Sequence, residues 1–211
     1  NMARRVKDPV LYPAPGDFYS GRLISADPFL KIEAENGETI QTRLIGSYNF
    51  ENVMAALCIG KFFGVDANKA NLAISQYEPG NMRSQMIQKG SNSIILDAYN
   101  ANPSSMRAAV ENLAAMKANR KVVILGDMFE LEGEAEKEHR EIGRLIREKK
   151  FEAVYLCGKL FKSALVEIPD AKYFENKTAL IDDLKMHPVA NAMVLVKASR
   201  GIGLETIVDF L

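Results

Sequence analysis

The sequence predicts an α/β protein with a Rossmann-like, mostly parallel, doubly wound sheet, preceded by a small β-hairpin and helix unit. From residue 82 onward, short apolar runs alternate with helical patterns, an order typical of parallel sheets with helices on both faces. The runs Val122–Leu125 and Val194–Val196 are apolar throughout. Uninterrupted runs of this kind indicate strands that are covered on both faces.

The composition narrows the class of protein. The 211 residues include 27 basic and 27 acidic side chains, a balance that argues against a nucleic-acid-binding protein. No apolar run approaches the ~20 residues that span a bilayer, and no signal pattern occurs, so we expect a cytoplasmic protein. Cys58 and Cys157 lie in separate apolar segments and are expected to be buried free thiols. His139 and His187 are isolated, so we predict no metal site in this chain.

Residues 1–17 are rich in proline and lack periodicity, which predicts an extended segment whose first three residues derive from cloning. Residues 18–79 form the first predicted domain. Asn36-Gly37 separates two of its alternating runs and is a strong hairpin signal. The predicted strands of this antiparallel unit are Gly21–Ser25, Phe29–Ala34 and Thr39–Leu44.

Two helices complete the first domain. The first is rich in Ala, Leu and Met and covers Val53–Phe63, and the second runs from a capping Asp66 to Ser75. Asn49 and Asn52 are three residues apart near the start of the first helix, so they share a face. Two amides on one face can read an adenine edge, but the spacing alone favours the alternative, an N-cap followed by a solvated asparagine.

Residues 80–211 form the second predicted domain, because the pattern breaks at Tyr77–Asn81. Its predicted strands are Gln85–Lys89, Ser93–Asp97, Lys121–Leu125, Ala153–Cys157, Ala171–Phe174 and Met193–Lys197. Its predicted helices are Ser104–Lys117, Ala135–Lys149, Leu160–Val166, Lys177–Lys185 and Gly203–Leu211.

The polar loop after the second of these strands is the first candidate site. Asp97 ends the strand, and Tyr99, Asn100 and Asn102 follow before a helix that Pro103 opens. Open α/β sheets bind ligands at the carboxyl ends of strands, beside helix N-termini. A carboxylate there can accept hydrogen bonds from ribose hydroxyls, and amides can face a phosphate or a peptide backbone. The same residue types also make turns and helix caps.

Two further strands end in polar loops. Asp127 and Glu130 can hold a cation or a substrate amine, although a solvated acidic loop explains them as well. Lys197, Ser199 and Arg200 end the last strand and are suited to a carboxylate or a phosphate, with surface lysine and arginine as the alternative.

These loops resemble motifs of the Mur ligase family. The resemblance rests on D-A-Y-N-A-N-P-S-S-M at 97–106, G-S-Y-N-F-E-N-V-M-A-A at 46–56, G-D-M-F-E-L at 126–131 and K-A-S-R at 197–200. Tyr48 replaces the histidine of many relatives, and Ala198 replaces a glycine of the family motif. The sequence Y-N-A-N at 99–102 is similar to that of the members that add D-alanyl-D-alanine to UDP-MurNAc-tripeptide.

The resemblance implies an ATP-dependent reaction. ATP phosphorylates the carboxylate of the tripeptide, and the amine of D-alanyl-D-alanine attacks the resulting acyl phosphate. It implies adenine binding by Asn49 and Asn52, ribose binding by Asp97, and phosphate binding by Arg83, with Arg83 and Lys197 as catalytic residues. The implied acceptor-binding residues are Tyr99, Asn100, Asn102, Ser199 and Arg200. His139 also matches the family pattern, although its own context predicts a helix-surface residue.

The chain has no G-x-x-x-x-G-K-[ST] phosphate loop, and the Mg²⁺ ligands of the family lie upstream of it. We therefore expect a fragment, inactive alone, that comprises the end of the central ATP-binding domain and the C-terminal ligase domain. ATP and Mg²⁺ would serve the full-length enzyme. One alternative is another Mur-type ligase or a folylpolyglutamate synthase. A second is a stand-alone nucleotide-binding module, although the absence of a G-x-G-x-x-G motif argues against it. A third is a structural or partner-binding domain.

Overall fold

The computed structural model describes residues 7–80 and 82–211. The chain divides into two compact units, Asn1–Glu78 and Pro79–Leu211. The predicted cloning residues lie outside the described residues. That the first unit is the end of a central ATP-binding domain stays a prediction.

The first unit contains a three-stranded antiparallel sheet in the order β1-β2-β3. The strands are β1 (Arg22–Ala26), β2 (Phe29–Glu33) and β3 (Thr39–Ile45). At the turn between β2 and β3, Gly37 has a φ of 78°, in the left-handed region that favours glycine. The Ala34 N–H donates to the Glu38 carbonyl at 2.9 Å. The predicted antiparallel hairpin is confirmed.

Two helices follow the sheet, α1 (Asn49–Phe62) and α2 (Ala67–Gln76). Val53 and Leu57 of α1 are buried in one cluster with Ile32 of β2, so burial of this face stabilises the unit. The Asp66 carboxylate caps α2 by accepting from the Lys69 N–H at 3.1 Å, as the sequence predicted.

The second unit is built on a six-stranded sheet in the order β4-β5-β9-β6-β7-β8. Its strands are β4 (Gln85–Lys89), β5 (Asn92–Asp97), β6 (Lys121–Gly126), β7 (Ala153–Cys157), β8 (Lys172–Phe174) and β9 (Met193–Lys197). β4 pairs with β5 in the antiparallel sense, and every other pair is parallel. The predicted mostly parallel sheet is confirmed.

The helices of this unit are α3 (Pro103–Ala115), α4 (Ala135–Lys149) and α5 (Lys177–Met186). The other two predicted helices are 3₁₀ rather than α-helical, over Phe161–Val166 and Leu204–Phe210. They contain only six and seven residues, and a segment this short forms few of the i→i−4 hydrogen bonds that stabilise an α-helix.

Both faces of the central strands are covered. On one face, Ile94, Ile124 and Val194 share a buried cluster with Leu184 of α5 and Ile207 of the last 3₁₀ helix. Successive side chains of a strand point to opposite faces of the sheet, so the residues between these cluster members lie on the other face. α3 packs against β6, β9 and α4. Because β5, β9 and β6 are adjacent and parallel, their carboxyl ends lie side by side, and the three polar loops leave from one edge of the sheet.

Candidate functional site

A buried ion pair joins the ends of β5 and β9. Asp97 and Lys197 are direct neighbours in the strand register, and the Lys197 Nζ lies 2.6 Å from the Asp97 Oδ2. The Lys197 side chain is 1% exposed and that of Asp97 is 16% exposed. The same ammonium donates to the Asn100 carbonyl at 3.1 Å, so Lys197 fixes the loop that follows β5.

The Asp97 carboxylate has a second protein partner. Its Oδ1 accepts from the Ser84 N–H at 3.0 Å. Each carboxylate oxygen can accept about two hydrogen bonds, so the partly exposed Asp97 retains capacity for a ligand.

Tyr99 lies beside two exposed arginines. The guanidinium carbon of Arg83 lies 4.2 Å from the Tyr99 ring centroid, and that of Arg200 lies 5.4 Å away. Both distances allow cation–π attraction. Within the described part of the chain, neither guanidinium has a carboxylate within ion-pair distance. The pair therefore presents positive charge suited to phosphate or carboxylate groups.

Asn102 caps α3. Its Oδ1 accepts from the Ser105 N–H at 2.8 Å, while the Ser105 Oγ accepts from the Asn102 N–H at 3.1 Å, a reciprocal capping box. The Asn100 Oδ1 accepts from the Ala101 N–H at 2.9 Å. The cap interpretation of Asn102 is confirmed, and ligand binding by Asn100 and Asn102 stays a prediction.

The loop after β6 is held by three consecutive backbone N–H groups, each bound to a different element of the unit. The bonds run from Asp127 to the Cys157 carbonyl (3.1 Å), from Met128 to the His139 Nε2 (3.0 Å) and from Phe129 to the Ser199 Oγ (2.9 Å). β7, α4 and the loop after β9 therefore fix this loop from three sides.

The prediction that His139 lies on the helix surface is wrong, because its side chain is 0% exposed. The Nε2 accepts from Met128, and the Nδ1 lies 2.7 Å from the Ala135 carbonyl. This pattern requires the neutral Nδ1–H tautomer. Burial lowers the pKa of His139 and outweighs the opposing contributions of the Ala135 carbonyl and the Asp127 carboxylate.

Both interpretations of Asp127 are wrong as well. The residue is 3% exposed, so the carboxylate belongs to no solvated loop and faces no open ligand site. It accepts from the Phe161 N–H at 2.8 Å and the Leu160 N–H at 3.1 Å. These bonds satisfy N–H groups at the start of the 3₁₀ helix, so Asp127 is a structural anchor.

Ser199 and Arg200 differ in exposure although they are adjacent. Ser199 is buried, and its hydroxyl donates to the Ala101 carbonyl at 3.3 Å while it accepts from Phe129. It therefore joins the three loops, whereas Arg200 is exposed at their rim. Phe129, which sequence reasoning did not single out, is also exposed beside this rim.

Asn49 and Asn52 belong to the first unit. The Asn52 Nδ2 donates to the Asn49 Oδ1 at 3.0 Å, and the Asn49 Nδ2 donates to the Ile45 carbonyl at 2.8 Å. The predicted shared face is confirmed. The cap interpretation is wrong, since Tyr48 occupies the N-cap position and Asn49 opens the helix. Adenine binding by the two amides stays a prediction.

Three general expectations can be compared with the structure. Cys58 and Cys157 are buried free thiols, as predicted, and burial raises the pKa of Cys157 to about 11. Over residues 7–80 and 82–211, no cluster of three or more His, Cys, Asp or Glu side chains could hold a metal ion. Within the same ranges, every helix is too short or too polar to cross a membrane.

Comparison with known proteins identifies the family. The profile described as Mur ligase, glutamate ligase domain, matches residues 82–200. The chain belongs to the Mur ligase family. The match covers the loops after β5 and β6 and ends at Arg200. The residues at the carboxyl edge of the sheet, from Arg83 to Arg200, therefore lie within the family domain.

Individual relatives agree with this assignment. The UDP-N-acetylmuramoyl-tripeptide–D-alanyl-D-alanine ligase of Bacillus subtilis is 35% identical over 178 residues, covering 80% of this chain and 38% of the relative. The Escherichia coli ligase of the same name is 36% identical over 173 residues, covering 80% and 38%. A crystal structure of MurF from Acinetobacter baumannii superposes with a TM-score of 0.80 at 26% identity, over 92% of this chain and 45% of that one. The chain spans about two fifths of the curated relatives it matches.

Proposed function

We propose that this chain is part of an ATP-dependent ligase that adds D-alanyl-D-alanine to UDP-MurNAc-tripeptide during peptidoglycan precursor synthesis. The proposal rests on the cluster of Asp97, Lys197, Tyr99, Arg83 and Arg200 at the carboxyl edge of a Mur ligase domain. The names of the relatives that are 35% and 36% identical support the choice of this substrate pair.

The geometry suggests how the roles are divided. Arg83 and Arg200 both contact the Tyr99 ring. Arg83 would bind the phosphates of ATP, and Arg200 would bind the carboxylate of the dipeptide. Asp97 would accept from the ribose hydroxyls, and Asn49 and Asn52 would contact adenine. Tyr99, Asn100, Asn102 and Ser199 would shape the acceptor side, Ser199 through the loops that it joins.

Lys197 would act through Asp97 rather than on a ligand directly. Its ammonium is 1% exposed and already contacts the Asp97 carboxylate and the Asn100 carbonyl. In this role Lys197 holds the Asp97 carboxylate at a fixed position, ready to accept from the ribose. This turns the predicted catalytic role of Lys197 into a positioning role.

The reaction would proceed in two steps. The tripeptide carboxylate takes the γ-phosphoryl group of ATP, forming an acyl phosphate and ADP. The dipeptide amine then attacks the acyl carbon, and phosphate leaves as the amide bond forms. A closed site would exclude the water that otherwise hydrolyses the acyl phosphate. No group of three or more His, Cys, Asp or Glu side chains among residues 7–80 and 82–211 is suited to a metal ion, and we assign Mg²⁺ binding to none of these residues.

Ligation by the full-length natural protein that contains these residues tests the proposal. With ATP, UDP-MurNAc-tripeptide and D-alanyl-D-alanine, we expect the UDP-MurNAc-pentapeptide and one ADP per amide bond. Transfer of a single amino acid instead would favour another Mur-type ligase, and glutamate transfer to a folate would favour a folylpolyglutamate synthase. ATP binding without transfer to any acceptor would favour a nucleotide-binding module.

A further inference from the structure

We propose that the ring of Phe129 is the apolar wall that selects the side chain of the C-terminal residue of the acceptor dipeptide. This inference rests on the proposed function and concerns the same edge of the sheet. It assigns a specificity-determining role to a residue in the loop between β6 and α4.

The first argument is that the Phe129 backbone is held in place. Its N–H donates to the buried Ser199 hydroxyl at 2.9 Å, and the preceding N–H donates to the buried His139. The Asp127 carboxylate ties the start of the loop to the 3₁₀ helix after β7. A side chain carried by such a fixed backbone can discriminate between ligands, because little ordering is needed when one binds.

The second argument is the position of the ring beside Arg200. A Cβ built on Gly201 would lie only 2.8 Å from the Phe129 Cε2, so the ring packs directly on the bare backbone of Gly201. Only glycine leaves room for this approach. Since Gly201 follows Arg200 in the chain, the apolar ring lies beside the stretch of backbone that carries the Arg200 side chain.

The third argument concerns exposure and chemistry. Phe129 is 39% exposed, although its loop is tightly bound, and the rim around it is polar, with Asn100 and Arg200 exposed. A ligand with a carboxylate and a short apolar group on the adjacent carbon would satisfy both neighbours. The carboxylate would pair with Arg200, while the apolar group would cover the ring. The C-terminal residue of D-alanyl-D-alanine has this chemistry.

The test compares two acceptors that differ by one methyl group. In the full-length protein, kcat/KM is measured for D-alanyl-D-alanine and for D-alanyl-glycine. We expect the wild type to prefer D-alanyl-D-alanine by about tenfold or more, the range found for one methylene group in an apolar pocket. Phe129→Ala should reduce this preference by about fivefold or more, and Phe129→Leu should reduce it less.

Two further variants separate selectivity from folding. Gly201→Ala, which would push the ring aside, should also reduce the preference. Met186→Ala removes another exposed apolar side chain of the second unit, 76% exposed, and should leave the preference unchanged. Melting curves show which variants are folded.

Each outcome has a distinct meaning. If Phe129→Ala lowers kcat/KM for both dipeptides equally, Phe129 has only a structural role and the inference is wrong. An unchanged preference in a folded Phe129→Ala protein also overturns it. If the wild type ligates neither dipeptide, the proposed function fails first, and the inference fails with it.

Discussion

The ammonium of Lys197 and the carboxylate of Asp97 form a buried ion pair, 2.6 Å apart, between the ends of adjacent parallel strands. The pair connects β9 to the loop that carries Tyr99 and Asn100. Because the lysine is almost fully buried and the aspartate is partly exposed, we expect removal of the aspartate to destabilise the protein more than removal of the lysine.

Asp97→Asn should lower the free energy of unfolding by about 3 kcal/mol, because it leaves a buried ammonium without a countercharge. Lys197→Met should cost less, since the Asp97 carboxylate reaches solvent and keeps the Ser84 N–H. Urea unfolding of both variants measures the difference. Equal, small losses would show that the pair does not matter for stability.

The stability should depend on pH through His139. Burial lowers the pKa of His139 in the folded protein, below the value of about 6.5 expected in the unfolded chain. Between these two pKa values, His139 is protonated in the unfolded chain but neutral in the folded protein. The free energy of unfolding is therefore unaffected above about pH 6.5 and decreases as the pH falls toward the pKa of the folded protein.

The melting temperature at about pH 7 and about pH 5.5 measures this dependence, since a histidine titrates in that interval. The decrease on acidification should be smaller for His139→Gln than for the wild type. His187→Gln, at a side chain that is 66% exposed, is the control and should retain most of the decrease. The same decrease in the wild type and His139→Gln would contradict the assignment.

Glu167→Gln should destabilise the second unit by about 2 kcal/mol, because hydrogen bonds to charged groups contribute about this much. The Glu167 side chain is 10% exposed and lies within 3.3 Å of both Arg144 and Arg147. Glu136→Gln removes a carboxylate on α4, the helix that carries Arg144 and Arg147, but its side chain is 74% exposed, so this change should cost less than about 0.5 kcal/mol. Similar losses in the two variants by chemical denaturation would contradict the prediction.

Gly158→Ala should be among the most damaging single substitutions, with a loss above about 2 kcal/mol. Gly158 has a φ of 114°, and an added Cβ would lie 2.3 Å from the Asp127 carboxyl carbon. Gly133→Ala is the matched control, since nothing lies within 4 Å of its Cβ position. Unfolding midpoints of the two variants that differ little would refute this account of Asp127.

The sheet and the polar loops at its carboxyl edge could be predicted because their signals are local. Fully apolar runs such as Val122–Leu125 indicate buried strands, and an acid or a lysine at the end of a run marks the carboxyl edge. The cap at Asn102 is equally local, since its partner is Ser105. Helix type over Phe161–Val166 was not predictable, because a segment this short has no clear period.

The buried anchors could not be predicted from local pattern. Asp127 reaches a 3₁₀ helix that begins at Phe161, and His139 reaches the backbone of Met128. Both look like solvated polar residues in sequence, because their partners are defined only by the packing of α4 and β7. The role of Phe129 depends likewise on the distant Gly201.

The division of the site between Arg83 and Arg200 is the central claim, and KM values in the full-length protein test it most directly. Arg83→Gln should raise the KM for ATP by about tenfold or more, the loss expected for a hydrogen bond to a charged group, with little change for D-alanyl-D-alanine. Arg200→Gln should do the reverse. If both variants raise the KM of the same substrate, or neither KM changes, the proposed arrangement around Tyr99 is wrong.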